Sequence, residues 1–406
     1  MGKIDELIKE LCPDGVEYVK LGEICEIYDG THQTPKYVNE GIPFISVENI
    51  QNIYGSQKFI SIDDYDSYKV KPQLGDMFMT RIGTIGTCAI VNKQEDIAYY
   101  VSLALLRPKH SIVNVGYLKH LIESNIGVNE IRKHSLLHAV PIKINKNDIC
   151  KIQIPLPPLS IQQQIVEILD TFTDSISNLQ EELELREKQM EFYRENLLSF
   201  DGEDVEWKSI KDCISSLTTG VNPRQHFVLN SEDSSYHYIT GKNINDNKID
   251  VSSGTDKINA KALSLINKRA KLTDDILLFA STGTGTVGRM AYVKQYDNSW
   301  TVSETLYIIR TQRLINTKFL MYVLNTWRSK KQYIGRISKG SVPHLKISDL
   351  LNVFIPVPSL SRQQEIVDIL DTFESMITNI KEEIELRQKQ YEYYREKLLT
   401  FERKGV

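Results

Sequence analysis

Two stretches of the chain carry a seven-residue hydrophobic rhythm, and everything between them alternates in short runs. Apolar residues recur at Ile165, Leu169, Phe172, Ile176, Leu179 and Leu183, then at Met190, Tyr193, Leu197 and Phe200. The same rhythm returns at Ile366, Leu370, Phe373, Ile377, Ile380 and Ile384, then at Tyr391, Tyr394, Leu398 and Phe401. Spacings that alternate four and three form the stripe of a coiled-coil helix, so two such helices are predicted. Each seam is broken once, at Arg186 and at Arg387. A charged seam residue either fixes register and partner choice or packs its aliphatic stem while its head reaches solvent. Ser160 and Ser361 follow Pro-rich runs and stand three residues ahead of Gln163 and Gln364, the spacing of a capping box. At ~1.5 Å rise per residue, roughly forty residues make a rod of about 60 Å.

The two helical stretches are copies of one sequence. Residues 154–200 align with 355–401 at a constant offset and without a gap, and 30 of the 47 positions are identical. Fainter echoes flank them. Val16-Glu17-Tyr18 recurs as Val205-Glu206-Trp207, Gly83-Thr84-Ile85-Gly86 as Gly285-Thr286-Val287-Gly288, and Val140-Pro141 as Val342-Pro343. The chain therefore divides into a first globular domain (1–159), a central helix (160–200), a second globular domain (201–360) and a C-terminal helix (361–406). Neither helix can bury its stripe alone, and the stripes match, so the simplest expectation is an antiparallel coiled coil within the chain. The two heads would then be separated by the helices and related by a pseudo-two-fold axis. Two similar heads held about one DNA turn apart, ~34 Å or more, are suited to meeting two half-sites.

Within the heads, PFISVENI (43–50), DMFMTRIG (76–83), CAIVNK (88–93), YVSLALLRP (100–108), DILLFAS (275–281), RMAYVK (289–294) and TLYIIRT (305–311) read as strands between Gly, Pro, Asn and Asp turns. Val115–Asn125 and Lys318–Lys331 read as helices. The predicted class is α+β, with small curled antiparallel sheets.

Composition narrows the chemistry. The 406 residues are 41% apolar and 25% charged, enough for two to three domains with cores. No apolar run reaches the length that spans a bilayer, and MGKIDELIKE, mixed in charge, does not resemble a targeting peptide. Five scattered cysteines, none spaced C-x-x-C, fit a reducing cytoplasm better than a disulfide framework or a zinc cage. The eight histidines form no metal-ligand spacing, so no metal site is expected. Gly283 to Gly288 fits G-x-G-x-x-G, but a strand pattern follows where a dinucleotide site needs a helix, so a glycine-rich turn is expected. Phosphate-loop, nucleophile-elbow and kinase strings are absent, and no catalytic residues are assigned.

The net charge of −4 conceals an uneven distribution. Residues 160–200 hold nine acids against three bases, whereas between Glu304 and Asp349 nine Lys or Arg occur with no acid at all. Such a run, interleaved with Tyr322, Trp327, Tyr333 and His344, predicts a surface for a polyanion. Phosphate contacts position a protein on DNA, and polar side chains on loops read base edges. The candidate DNA contacts in the first head are His32, Gln33, Thr34, Lys36, Arg81, Thr84, Arg132 and Lys133. In the second they are Arg224, Gln225, Lys242, Asn243, Thr284, Arg289, Arg336, Lys339, Ser341 and His344.

Two variable heads, each followed by IPLPPLS…QQQIVEILD or IPVPSLS…QQEIVDILD and a long helix, resemble the specificity (S) subunits of type I restriction-modification systems along the full chain. The resemblance implies two target-recognition domains, each reading half of a bipartite site in double-stranded DNA. It implies helices that set the spacer and dock two methyltransferase (M) subunits, which carry S-adenosylmethionine and methylate adenine. Restriction (R) subunits would bring ATP and Mg²⁺, and no cofactor would sit on this chain itself. The first head is slightly acidic, so much of the phosphate clamp would fall to the M subunits. The competing reading is a coiled-coil scaffold whose heads bind a protein or glycan.

Overall fold

The computed structural model describes residues 2–222, 227–251 and 254–405. It contains two compact units: unit 1 joins the chain up to Glu181 with the segment from Lys381, and unit 2 is Glu182–Ile380. The long helices span Leu159–Leu197 and Leu360–Leu399, and each contributes one part to each unit.

Unit 1 is built on a four-stranded antiparallel sheet in the order Cys25–Asp29, Leu103–Pro108, Met77–Thr80, Cys88–Ile90. Both faces are covered. Met77, Met79, Ala104 and Leu106 face one core with helix Val115–Ile122, and Phe78, Leu103 and Leu105 face another with Ile45 and Tyr99. Double coverage is why these strands read as continuous apolar runs instead of alternating ones. The second core is closed by a three-stranded sheet, Phe59–Ile60, Ile42–Ile45 and Ala98–Tyr99, whose last pair is parallel.

Unit 2 repeats the plan with Ile214–Thr219, Leu306–Thr311, Ile276–Ala280 and Met290–Val293. Its three-stranded sheet joins Lys257–Ile258, Tyr236–Ile239 and Trp300–Val302, again with one parallel pair. The predicted strands are present in part or whole: that over 43–50 ends at Ile45 and gives way to the 3-10 helix Val47–Asn49, that over 100–108 starts at Leu103, and the parallel pairs add a mixed sheet to each antiparallel one. The predicted helix Lys318–Lys331 is two helices, Thr317–Asn325 and Trp327–Ile334. Thr326 causes the break: its hydroxyl accepts from Ser329 N at 3.3 Å and starts the second helix. Ser124 does the same in unit 1, accepting from Gly127 N, and Val115–Asn125 accordingly ends at Ile122.

In each unit the two long-helix segments run antiparallel. In unit 1 the start of the first helix (Ile161, Ile165, Leu169) shares a core with the end of the second (Leu398, Leu399, Phe401), and Phe172 stacks on Tyr394 at 5.2 Å. In unit 2, Ile366, Val367 and Leu370 share a core with Leu198 and Phe200, and Tyr193 stacks on Phe373 at 5.2 Å. The predicted seam residues Ile165, Leu169, Ile366, Leu370 and Ile377 are buried, and Phe172, Ile176, Leu179, Leu183, Phe373, Ile380 and Ile384 are half-buried. Arg186 and Arg387 are half-buried and turn their heads to their own helix. Arg186 bonds Gln189 and Glu182, and Arg387 bonds Gln390 and Glu383. Both helices start two residues earlier than the capping boxes predict. Ser160 and Ser361 lie inside the first turn, and Ser359 accepts from Arg362 N at 3.3 Å.

Unit 1 is closed by residues far apart in sequence. Val16 N donates to Glu402 O at 2.9 Å, Lys404 N returns a bond to Val16 O, and Arg403 lies over the Tyr18 ring. Gly15, at φ +82°, is required there, because a Cβ would meet Glu402 O at 2.6 Å. In unit 2 the same step is covalent, with Phe200 running through residues 201–205 into strand Glu206–Ser209.

Candidate nucleic-acid interface

The same two loops meet in each unit. In unit 1 the hairpin loop between Met77–Thr80 and Cys88–Ile90 is pinned to the loop after helix Asn125–His134. Gly83 N bonds Ile142 O at 2.8 Å, Ile144 N bonds Arg81 O at 3.0 Å, and Leu136 N bonds Lys143 O at 2.8 Å. In unit 2 the hairpin loop between Ile276–Ala280 and Met290–Val293 is pinned to residues 338–345. Gly283 N bonds Pro343 O at 3.0 Å, Leu345 N bonds Ser281 O at 2.8 Å, and Thr282 Oγ1 meets His344 Nδ1 at 2.8 Å. The G-x-G-x-x-G string is thus a hairpin loop, closed by Gly288 N on Ala280 O, with Gly283, Gly285 and Gly288 at positive φ.

The predicted contact residues divide accordingly. Thr84, Thr284, Lys339 and Ser341 are exposed on these paired loops, Arg132 and Lys133 are exposed on the helix leading into the first pair, and Arg336 is exposed in the turn leading into the second. Lys133 pairs with Glu130, and Arg336 touches Asp349 O at 3.5 Å. His32, Gln33, Thr34 and Lys36 are exposed on a neighbouring loop, where His32 lies 4.0 Å from Asp29. Lys242 is exposed beside the second loop pair, since Gly241 packs against Thr286.

Four predicted contacts have other work in the fold. Arg81 is buried, ion-paired to Asp29 and bonded to Ile144 O, so it ties the loops together and does not project from them. Asn243 directs its side chain to Thr240, Asp250 and Thr255. His344 is engaged by Thr282, and Arg289 bonds Ile244 O and Asn245. Arg224 and Gln225 lie outside the described residues.

The long basic run is not one surface. Lys318 pairs with Asp371 and Glu374 of the second long helix, and Arg328 pairs with Asp201. Lys318 therefore neutralises part of the acidic second long helix. Lys330 remains half-buried beside Arg194, and burial first, then that guanidinium, holds its pKa below the usual lysine value. With Arg289 these cations line a cavity of about 530 Å³.

The junction between head and helix has duplicated chemistry that sequence reasoning missed. Gln162 is fully buried; its amide donates to Ile112 O (3.1 Å) and Pro157 O (2.7 Å), and its carbonyl accepts from Asn114 N (2.8 Å). Gln363 repeats this with Leu314 O (3.0 Å), Pro358 O (2.8 Å) and Asn316 N (2.7 Å). The signal was the QQ pair retained in both copies, beside the Gln read as a cap. Next to it, His120 is clamped between Asp170 (2.8 Å) and Tyr391 (2.9 Å), and burial lowers its pKa despite the Asp170 bond. Unit 2 has Tyr322 on Asp371 at 2.7 Å in that place.

Exposed apolar side chains also recur in pairs along the long helices: Leu185 (65% exposed) with Leu386 (54%), and Phe192 (64%) with Tyr393 (62%). Among the described residues, no group of three or more His, Cys, Asp or Glu could hold a metal ion, and no helix is long and apolar enough to cross a membrane. The five cysteines are free.

Known proteins share this plan. Residues 13–186 and 202–386 each match the family described as type I restriction modification DNA specificity domain. A specificity subunit of the Escherichia coli type I restriction enzyme EcoR124I/EcoR124II is 31% identical over 271 residues, covering 62% of this chain and 63% of that one. A putative type I restriction enzyme specificity subunit of Haemophilus influenzae is 32% identical, covering 64% of this chain and 66% of its own. The matches thus span just under two thirds of the length of these two relatives. A putative type I specificity subunit of Mycoplasma pneumoniae is 26% identical over 94% of this chain and 97% of its own. The crystal structure of a type I restriction-modification S subunit from M. genitalium has the same fold, with TM-score 0.60 at 13% identity and 95% and 96% coverage. The chain belongs to the type I restriction modification DNA specificity domain family and carries that domain twice.

Proposed function

We propose that this chain is the non-catalytic DNA-recognition subunit of a type I restriction-modification complex, each unit reading one half of a bipartite target in double-stranded DNA. The observation that carries the reading is the contrast inside the duplication. The head–helix junctions keep the same buried glutamine bonds, whereas the paired tip loops, fixed at the same place in both units, present different side chains. Two unlike sequences to read demand unlike tips, and two identical partners demand like helices. The helices would set the spacer and dock two methyltransferase subunits, one on Leu185 and Phe192 and one on Leu386 and Tyr393. S-adenosylmethionine for adenine methylation would reside on those subunits, and ATP and Mg²⁺ on restriction subunits where present. This assembly would act in the cytoplasm.

The test is co-expression with the neighbouring methyltransferase, followed by single-molecule sequencing of modified adenines with and without this chain. A bipartite motif that appears only with the chain is the expected result. Salt-insensitive binding, or no DNA binding by the complex, would favour a scaffold instead.

A further inference from the structure

The loop pair of unit 1 ends in aliphatic side chains. Val140 is 100% exposed, and Leu136, Leu137 and Ile142 are 45%, 49% and 39% exposed on the same short loop. This is not a frayed segment. Bridges from Lys143 to Leu136 and to Ile82 close it, and the Gly83 bond to Ile142 seats it on the hairpin loop. Exposed cations stand on the same segment, Arg132 and Lys143, and residues 131–147 hold no acid, while Lys133 is paired with Glu130. Unit 2 offers an internal control. Its corresponding loop carries Ser338, Lys339, Gly340 and Ser341, all exposed, with Val342 as its one exposed large apolar side chain.

A rigid, exposed, aliphatic loop set among cations requires an occupant that is both polyanionic and locally apolar. Intact duplex DNA meets that description at one chemical group, the C5-methyl of thymine on the major-groove edge. Given the DNA-reading role above, on which this rests, we infer that Leu137 and Val140 of unit 1 read thymine through its methyl group. Unit 2 reads its half through the hydrogen-bonding groups of Lys339 and Ser341. The two half-sites therefore differ in the chemistry of recognition as well as in sequence.

The experiment uses the full chain with its methyltransferase partner and duplexes bearing the methylated motif. Each thymine is replaced in turn by deoxyuridine, which keeps every base-pair bond and removes only the methyl. Burial of one methyl corresponds to about a fourfold change in affinity. Uracil in one half is expected to weaken binding by about that factor, uracil in the other half to change nothing. A Leu137→Ser/Val140→Ser variant should bind thymine and uracil duplexes alike, and exposure of both side chains keeps the fold out of the comparison. If the complex binds no DNA, the proposed function itself fails. If it binds its motif but uracil has no effect in either half, or neither half contains thymine, the inference is overturned. It is equally overturned if the uracil effect survives in the double variant, or if that variant loses the methyltransferase on co-purification, which would make the loop a protein contact.

Discussion

Replacing Gln162 with Leu tests the head–helix junction directly. The side chain is fully buried and satisfies two carbonyls and one N–H of the backbone, those of Ile112, Pro157 and Asn114. Leucine has similar volume, so little cavity arises, but three buried polar groups lose their partner. Each of the three unsatisfied groups costs about 1–3 kcal/mol, and the added apolar burial returns about 1–2 kcal/mol, leaving roughly 4.5 kcal/mol of destabilisation at mid-range. For a unit of about 200 residues that lowers Tm by roughly 9–18 °C. Gln163→Leu next to it is the control, because Gln163 is exposed and its bonds to Asn114 and Glu167 are made at the surface. Its cost should stay within about 0.5 kcal/mol. Gln363→Leu should cost as much as Gln162→Leu, since its three bonds are the same. The two can be separated spectroscopically: Trp207, Trp300 and Trp327 all lie in unit 2, so Gln363→Leu shifts the tryptophan transition and Gln162→Leu shifts far-UV dichroism. A Gln162→Leu variant less than about 1 kcal/mol below the parent, or no worse than Gln163→Leu, would refute the junction's role.

Three further outcomes are expected. Phe192→Ser and Tyr393→Ser should each remove one methyltransferase copy from the complex, and together both copies, with Tm unchanged because both side chains are more than 60% exposed; native mass spectrometry reads the count. Burial holds the His120 pKa below its ordinary 6.5, so the folded state resists protonation that the unfolded chain accepts. Unit 1 should therefore lose stability as pH falls below about 6.5, and His120→Gln should flatten that dependence in pH-resolved unfolding curves. Inserting seven residues after Leu183, matched by seven after Ile384, adds about 10 Å of helix, close to three base pairs of DNA. Methylome sequencing should show a longer unspecified gap between unchanged half-sites, and an unaltered gap would exclude the helices as spacer.

Periodicity made the long helices and the main-sheet strands legible, because the heptad stripe and the doubly covered runs such as ILLFA are strong local signals. Pairing direction was not legible, since Ile42–Ile45 and Ala98–Tyr99 look alike whether they run parallel or antiparallel. The basic run misled because composition along the chain does not show where the acids fold: Asp371 and Glu374 reach Lys318 from some fifty residues away. Arg81 was read as a contact for the same reason, its partner Asp29 being distant in sequence and close in space. The glutamine pair was visible in both copies, but a local capping rule assigned the bond to the wrong residue. Exposed aliphatics such as Val140 carry no polar group and follow no motif, so nothing in the sequence distinguishes them from core residues.

The seam at Val16 and Arg403 has a genetic consequence. Unit 1 closes by hydrogen bonds the same step that unit 2 makes through the covalent link at residues 201–205. A gene rewired to open at 202 and to fuse 404 onto 15 should therefore return the same fold in each unit, with the hydrogen-bonded closure made covalent and the covalent one left to hydrogen bonds.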